Sequence, residues 1–323
     1  MEVKIYKTNE IPNSLWEKIA LGFQEAFNIP MTAKRMQNAF CVRNPLGYGY
    51  HAVAISDEGE VAGYNVFSPT FYKNGLKIVV GGSTFVRKKF RNNEFLFMEM
   101  VQALRKKVIS EGFEVEVGVP NQNSRRFAEK ILGLKYVGNL HYYILPLSIS
   151  KCLHKPAFSF IDPITSFFFR LHILIQTGLS YLFNTKERKV KYCMEDDAES
   201  LKSRFKGPYS YYHNGKYEAY YRLVDEEGIR TMYLMDFREE GVRTYRALVK
   251  ALRHIEETVK PDAILYVGLL RLKQFALIKI PKHFVPKPLP FTCCVLDKKA
   301  KDKYKDIWEA KNWNFSLMNF DVR

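Results

Sequence analysis

Four cations, Arg87, Lys88, Lys89 and Arg91, crowd the run GGSTFVRKKFRNNEFLFMEM at 81–100, where strand-like residues give way to helix-like ones. A strand that passes through a basic loop into a helix presents the helix's first backbone N–H groups and the positive end of its dipole, which together suit a phosphate. Without a ligand, the same residues are an ordinary turn with a solvated basic loop. A second run, GVPNQNSRRFAEKILGLKYVG at 118–138, carries Asn121, then Ser124 and Phe127 on a short helix, then a Leu132-Gly133-Leu134 turn. Between the two runs stands Glu116, on the opposite strand face from Val115 and Val117. There it is either a base for an incoming amine or a solvent-facing strand residue.

The elements that position these residues can be read from periodicity. Leu15, Ile19, Phe23 and Phe27 recur every fourth position and predict a helix over 15–27. HAVAIS at 51–56 and VAGYNVFS at 61–68 predict a hairpin across Asp57–Glu60, and Asn74-Gly75 predicts a turn into a third strand at 76–82. Phe95, Met98, Val101, Leu104 and Val108 predict an inward helix face over 95–110. A strand at 113–120, a helix at 124–132 and a last strand near 136–145 complete a unit expected to span 1–150.

The second half repeats the order: a Tyr-rich strand region at 209–224, a strand at 231–237, a helix at 242–258 and a strand at 262–268. We expect a second unit over 191–323, joined by an apolar helical linker at 151–190. The run 156–184 is interrupted by Pro163, Arg170 and His172, which argues against a spanning helix. It is expected to pack between the halves or, failing that, to lie on an anionic membrane beside Lys186, Arg188, Lys189 and Lys191. The junction at Asp236–Gly241 is acidic where a phosphate loop would be basic, so the second half is not expected to hold a phosphate. Tyr209, Tyr211, Tyr212, Tyr217, Tyr220 and Tyr221 are candidates for an aromatic wall around an acceptor.

Bulk properties narrow the class. The formal net charge of +16 favours anionic partners, but no zinc-finger spacing or RNP-like motif directs it to nucleic acid. The cysteines, five in number, form no CxxC pair, and the first residues show no secretory pattern, so a reducing, cytoplasmic setting is expected, with membrane contact at most peripheral. No HExxH, GxSxG or GxxxxGK[ST] motif is present, and no metal is expected.

The two runs in this order resemble the GNAT (N-acetyltransferase) superfamily, over about residues 40–147 and, in the second half, in architecture alone. The resemblance implies an α/β (α+β) chain of two tandem mixed sheets flanked by helices, the second copy degenerate. Arg91, Asn92, Asn93, Glu94, Phe95 and Leu96 fall on the family's pyrophosphate loop; Arg91 matches it, while Glu94 and Leu96 stand where the family has small residues. By this resemblance Phe85 and Val86 offer backbone groups to pantetheine, Arg87 adds charge beside the phosphates, Asn121 and Ser124 face the pantetheine arm, and Phe127 stands near the family's tyrosine acid.

The implied reaction is direct acyl transfer from acetyl-CoA, or a related acyl-CoA, to a small amine or amino sugar, with Glu116 as the candidate base. Two alternatives stay open: an aminoacyl transferase on cell-wall precursors, which would bind tRNA, and a non-catalytic binding protein that no longer holds coenzyme A.

Overall fold

The computed structural model describes residues 1–41, 44–93 and 95–320. Its first stretch runs β1 (Glu2–Lys7), α1 (Asn13–Phe27), α2 (Ala33–Cys41), β2 (Tyr50–Ile55), β3 (Val61–Tyr72), β4 (Leu76–Val86), α3 (Leu96–Ser110), β5 (Val115–Gly118), α4 (Gln122–Lys130), β6 (Lys135–Asn139) and β7 (His141–Pro146). Then come α5 (Ile149–Cys152) and the long α6 (Asp162–Leu182). The rest comprises β8 (Tyr192–Cys193), α7 (Ala198–Arg204), β9 (Ser210–Asn214), β10 (Tyr217–Glu226), β11 (Ile229–Glu239), α8 (Tyr245–Val259), β12 (Ala263–Gly268), β13 (Ile278–Lys279), β14 (Pro290–Val295), β15 (Trp313–Asn314) and α9 (Leu317–Phe320).

The strands form two large mixed sheets, ordered β1-β2-β3-β4-β5-β14-β6 and β13-β7-β12-β11-β10-β9, plus the small pair β15-β8. Each large sheet contains an antiparallel run ending in one parallel pair, β4 with β5 and β11 with β12, so the repeat expected from the sequence is present in the topology. The sheets exchange strands across the expected boundary at residue 150. β7 joins the second sheet beside β12, while β14 enters the first between β5 and β6. The single strand expected near 136–145 is therefore two strands in two sheets. Buried Leu140 makes the crossing, its N–H donating to the Leu289 carbonyl at 2.9 Å.

Helices α1 and α2 cover one face of the first sheet through Trp16, Ile19, Ala20 and Met36, and α3 covers the other through Met100, Val101, Leu104 and Val108. Gly22 lets α1 sit close to β4: a Cβ there would lie 2.7 Å from the Phe85 ring. A shared core joins the sheets, with Ile78, Val115 and Val117 from the first and Tyr233, Met235 and Val267 from the second. At its centre Trp313 touches the rings of Tyr72, Tyr192 and Phe291 at centroid distances of 5.8, 4.8 and 4.9 Å.

The apolar run does not lie between the halves. α6 packs along α8 on the outside of the second sheet, burying Ile173, Gln176 and Ser180. Its partner surface is thus α8 with the β7 end of the second sheet and the Ser148–Ser150 turn.

Because each sheet contains a strand from the other's sequence neighbourhood, neither can unfold independently without breaking its neighbour's ladder. Trp313→Ala should cost about 3–5 kcal/mol, and urea unfolding followed by near-UV and far-UV dichroism should give one shared midpoint in both proteins. Two separated transitions in the wild-type chain would contradict this coupling.

Candidate functional site

The parallel ladder between β4 and β5 is short: Ile78, Val79 and Val80 pair with Val115, Glu116 and Val117. Beyond Val80, β4 keeps its pairing with β3, Gly81 opposite Phe67 and Val86 opposite Gly63, but shows no further pairing to β5. The strands diverge. A register shift at Tyr64/Val66 and the left-handed backbone of Ser83 (φ 48°) mark the irregularity, which the Thr84 hydroxyl spans by donating to Asn65 Oδ1 at 2.8 Å. The result is a wedge with one unpaired edge of β4 backbone.

The basic loop follows at the open end of this edge. Arg87 donates from Nε and Nη2 to Glu25 on α1 at 2.7 and 2.9 Å, so its side chain braces the loop against α1 and is not available for phosphate, a correction to its expected role. Lys89 pairs with Glu60. Arg91 donates from Nε to the Val86 carbonyl at 3.1 Å, which folds the loop back over the end of β4. Asn92 is exposed, and Asn93 Oδ1 accepts from the Phe95 N–H at 3.2 Å just before α3. Glu94 lies outside the described residues.

Leu96 turns its side chain into the α3 core, so its bulk does not stand between the backbone and an approaching anion. Phe95, expected to face inward, is 63% exposed because it precedes the first helical turn. The next amides, of Phe97 and Met98, begin α3, where helix geometry provides no intrahelical acceptor.

Asn121 and Ser124 are brought together as the cap of α4. Asn121 Oδ1 accepts from the Ser124 N–H at 2.9 Å and from the Ser124 hydroxyl at 3.1 Å. Phe127 packs edge-on against Phe97 at 4.7 Å and offers no acid. Glu116 is neither solvent-facing nor placed as a base: it is 4% exposed and accepts from Arg105 Nε at 2.7 Å. Burial pushes its carboxyl above the ordinary range, and Arg105 offsets part of that rise. Its function is to tie α3 to β5.

A cavity of about 500 Å³ opens where the wedge meets the second half. Val80, Gly81, Gly82 and Ser83 of β4 form its floor, α2 and the loop before it form one wall, and α7, β10 and α9 form the other. Its described lining carries five cations, Lys34, Arg35, Arg204, Lys206 and Arg222, and no carboxylate or histidine. Arg204 is committed to the Leu317 and Met318 carbonyls. No local motif marks this site, because its residues come from four separated stretches; the net charge was the only signal of its character.

The proposed tyrosine wall does not form. Strand alternation sends Tyr209, Tyr211 and Tyr220 to one face with Phe205, and Tyr212, Tyr217 and Tyr221 to the other. None lines the cavity.

The second sheet repeats the short parallel ladder, Thr231–Tyr233 against Ala263–Leu265, but there the wedge is filled by the chain itself. α9 contacts both β11 and β12, and the Leu269 N–H donates to the Phe315 carbonyl at 2.7 Å. Gly268 is required: a Cβ there would lie 2.8 Å from Ser316 Cα. Fully buried Asp236 accepts from Arg238 and Arg243, each at 2.6 Å. Burial would raise its carboxyl, yet the two guanidiniums outweigh it and hold the group below its ordinary range. These arginines neutralise an internal carboxylate where the first half has its loop.

No family model matches the chain, and no curated protein matches its sequence. Solved structures do. A GCN5-related N-acetyltransferase from Kribbella flavida is similar at TM-score 0.52 and 8% identity, over 92% of this chain and 71% of that one. Another from Anabaena variabilis is similar at 0.52 and 10%, over 91% and 73%. A probable N-acyltransferase from Enterococcus faecalis is similar at 0.50 and 11%, over 92% and 73%. At these identities the likeness is one of fold.

Removing Arg105 tests the assignment of Glu116. A carboxyl whose folded pKa is raised contributes stability that is full below its unfolded pKa and lost as pH rises through the folded one. Arg105→Ala should therefore be close to wild type near pH 4 and lose about 3 kcal/mol by pH 7, measured by urea unfolding. A deficit independent of pH would mean that Glu116 does not feel Arg105.

Proposed function

From a chain that carries the fold of the GCN5-related N-acetyltransferases in tandem, we propose an acyl-CoA-dependent N-acyltransferase acting on an amine that also bears an anionic group. The observation that carries this reading is the continuity of the unpaired β4 edge with the cavity: Gly81–Ser83 line both. A thioester held along that edge would meet an acceptor held in the cavity.

The fit to coenzyme A rests on backbone. The free edge of β4 offers hydrogen-bonding groups to an amide-rich arm, and the first amides of α3 face the loop, with Leu96 turned away. Acyl-CoA would supply the activated carbonyl. The acceptor nitrogen forms the new C–N bond, the C–S bond breaks, the nitrogen loses its proton and the departing thiolate takes one from solvent. A thiol with pKa of about 8.5 leaves without a dedicated acid.

With Glu116 committed to Arg105, the lining cations perform the work of a base indirectly. Positive charge from Lys34, Arg35 and Lys206 disfavours an ammonium and so favours the neutral, nucleophilic amine. The same charges call for a carboxylate or phosphate elsewhere on the acceptor, and amino-sugar phosphates or sugar nucleotides have that chemistry. A second reading, a binding protein without turnover, is favoured by Glu116 being locked and by Phe127 standing where the family has its acid.

Calorimetry with acetyl-CoA and thiol-release assays over paired anionic and neutral amines separate these readings. We expect Lys34→Ala and Lys206→Ala each to raise KM for the anionic amine about tenfold, leaving acetyl-CoA affinity nearly unchanged. The pH profile of kcat/KM should move with the acceptor's own amine pKa. Binding without thiol release from any amine would favour a binding protein without turnover, and no binding at millimolar acetyl-CoA would reject the transferase and favour a binding protein that no longer holds coenzyme A.

A further inference from the structure

A helix on the surface of a water-soluble body buries its apolar stripe and exposes its polar one. α6 packs one side inward and leaves a second apolar strip outside. Ile164, Phe167, Phe168, Leu171, Leu174 and Ile175 recur at helical spacing on one face and are all exposed, Phe167 and Phe168 by 63% and 61%. Phe160 before the helix and Phe183 after it extend the strip and are also exposed.

The opposite face packs Ile173 and Phe169 against the core under α8 and is tied down by polar contacts along its length. Asp162 accepts from the Ser148 hydroxyl at 2.8 Å and the Ser150 N–H at 2.9 Å. Arg170 pairs with Glu256 on α8 at 2.7 Å, buried Gln176 accepts from the Tyr245 hydroxyl, and the Ser180 carbonyl accepts from Arg246 Nε at 3.3 Å. The helix with its preceding turn is long and apolar enough to cross a membrane. These bonds hold its side to α8, so it presents a strip of about 31 Å and not a free end.

We propose that this strip docks the protein side-on onto an anionic lipid bilayer. The charge around it decides for lipid. Residues 151–191 carry seven Lys and Arg against Asp162 and Glu187. Lys151 is paired with Asp262, and the cations that flank the strip are exposed Lys155 before it and exposed Lys186, Arg188 and Lys189 after it. Aromatic and aliphatic side chains between basic ends fit the acyl boundary and the phosphate layer respectively. A second copy of the chain pairing two-fold on the same strip would set these basic ends against each other.

The test uses the full chain in co-sedimentation with vesicles of phosphatidylcholine alone and of phosphatidylcholine mixed with phosphatidylglycerol. We expect at least about tenfold tighter binding to the mixed vesicles. The double variant Phe168→Ser, Leu171→Ser should lose about tenfold on them, with unchanged far-UV dichroism and acetyl-CoA calorimetry. Lys186→Glu with Lys189→Glu should abolish the preference for phosphatidylglycerol. Absence of binding to either vesicle would overturn the proposal. So would a dimer, found by sedimentation equilibrium, that dissociates on Phe168→Ser, since the strip would then be an interface between copies.

Discussion

Three residue pairs hold β4 to β5, and the place where that ladder stops shapes the whole cleft. A parallel pair that continued to Val86 would close the sheet and leave no backbone edge. The divergence is maintained from both sides. β5 is pinned to α3 by Glu116 and Arg105 and to β14 by four residue pairs, while β4 is pinned to β3 and, through Arg87 and Glu25, to α1. The residues that sequence reasoning placed in the chemistry are in several cases the braces that keep the wedge open.

The second half shows what the same geometry does without a guest. Its ladder stops after three pairs as well, but α9 and the stretch around Ser316 enter the gap, and Gly268 makes room for them. A carboxylate flanked by two guanidiniums, all buried, then replaces the basic loop. Such a cluster contributes less net stability than its short contacts suggest, because each ion has lost its water. Its consequence is that Arg238 and Arg243, which also pair with Asp196 and Glu187, are already neutralised from within.

Local patterns in the sequence were sufficient for the elements. The hairpin across Asp57–Glu60, the turn at Asn74-Gly75, α3 and α8 follow from alternation, helical spacing and turn chemistry, and the repeated order gave two sheets. Strand exchange was not legible, because β6 and β7 are separated by Leu140 alone and read as one strand, while β14 has no local feature naming its partners. In the site, the loop and the cap at Asn121 could be read locally. Glu116 could not: period-two alternation gives a face, and that face proved to lie under α3 and not in water. The cavity was invisible because it is assembled from distant stretches. α6 was recognised as apolar, yet its apolar residues point outward, and only its neighbours on α8 reveal why.

The exchange of strands also orders events in time. Thr292 meets Gly118, 174 residues earlier in the chain, so a nascent polypeptide displays the open edge of β5 while the intervening residues are made. Contacts so distant form slowly, and an unpaired edge is a template for wrong partners while it waits. Until β14 arrives, β5 has a neighbour on one side only. The first sheet is therefore completed only by a six-residue strand made late, and a ribosome paused before residue 290 would hold a chain that lacks both this strand and the Asn319 and Phe320 of the cavity wall.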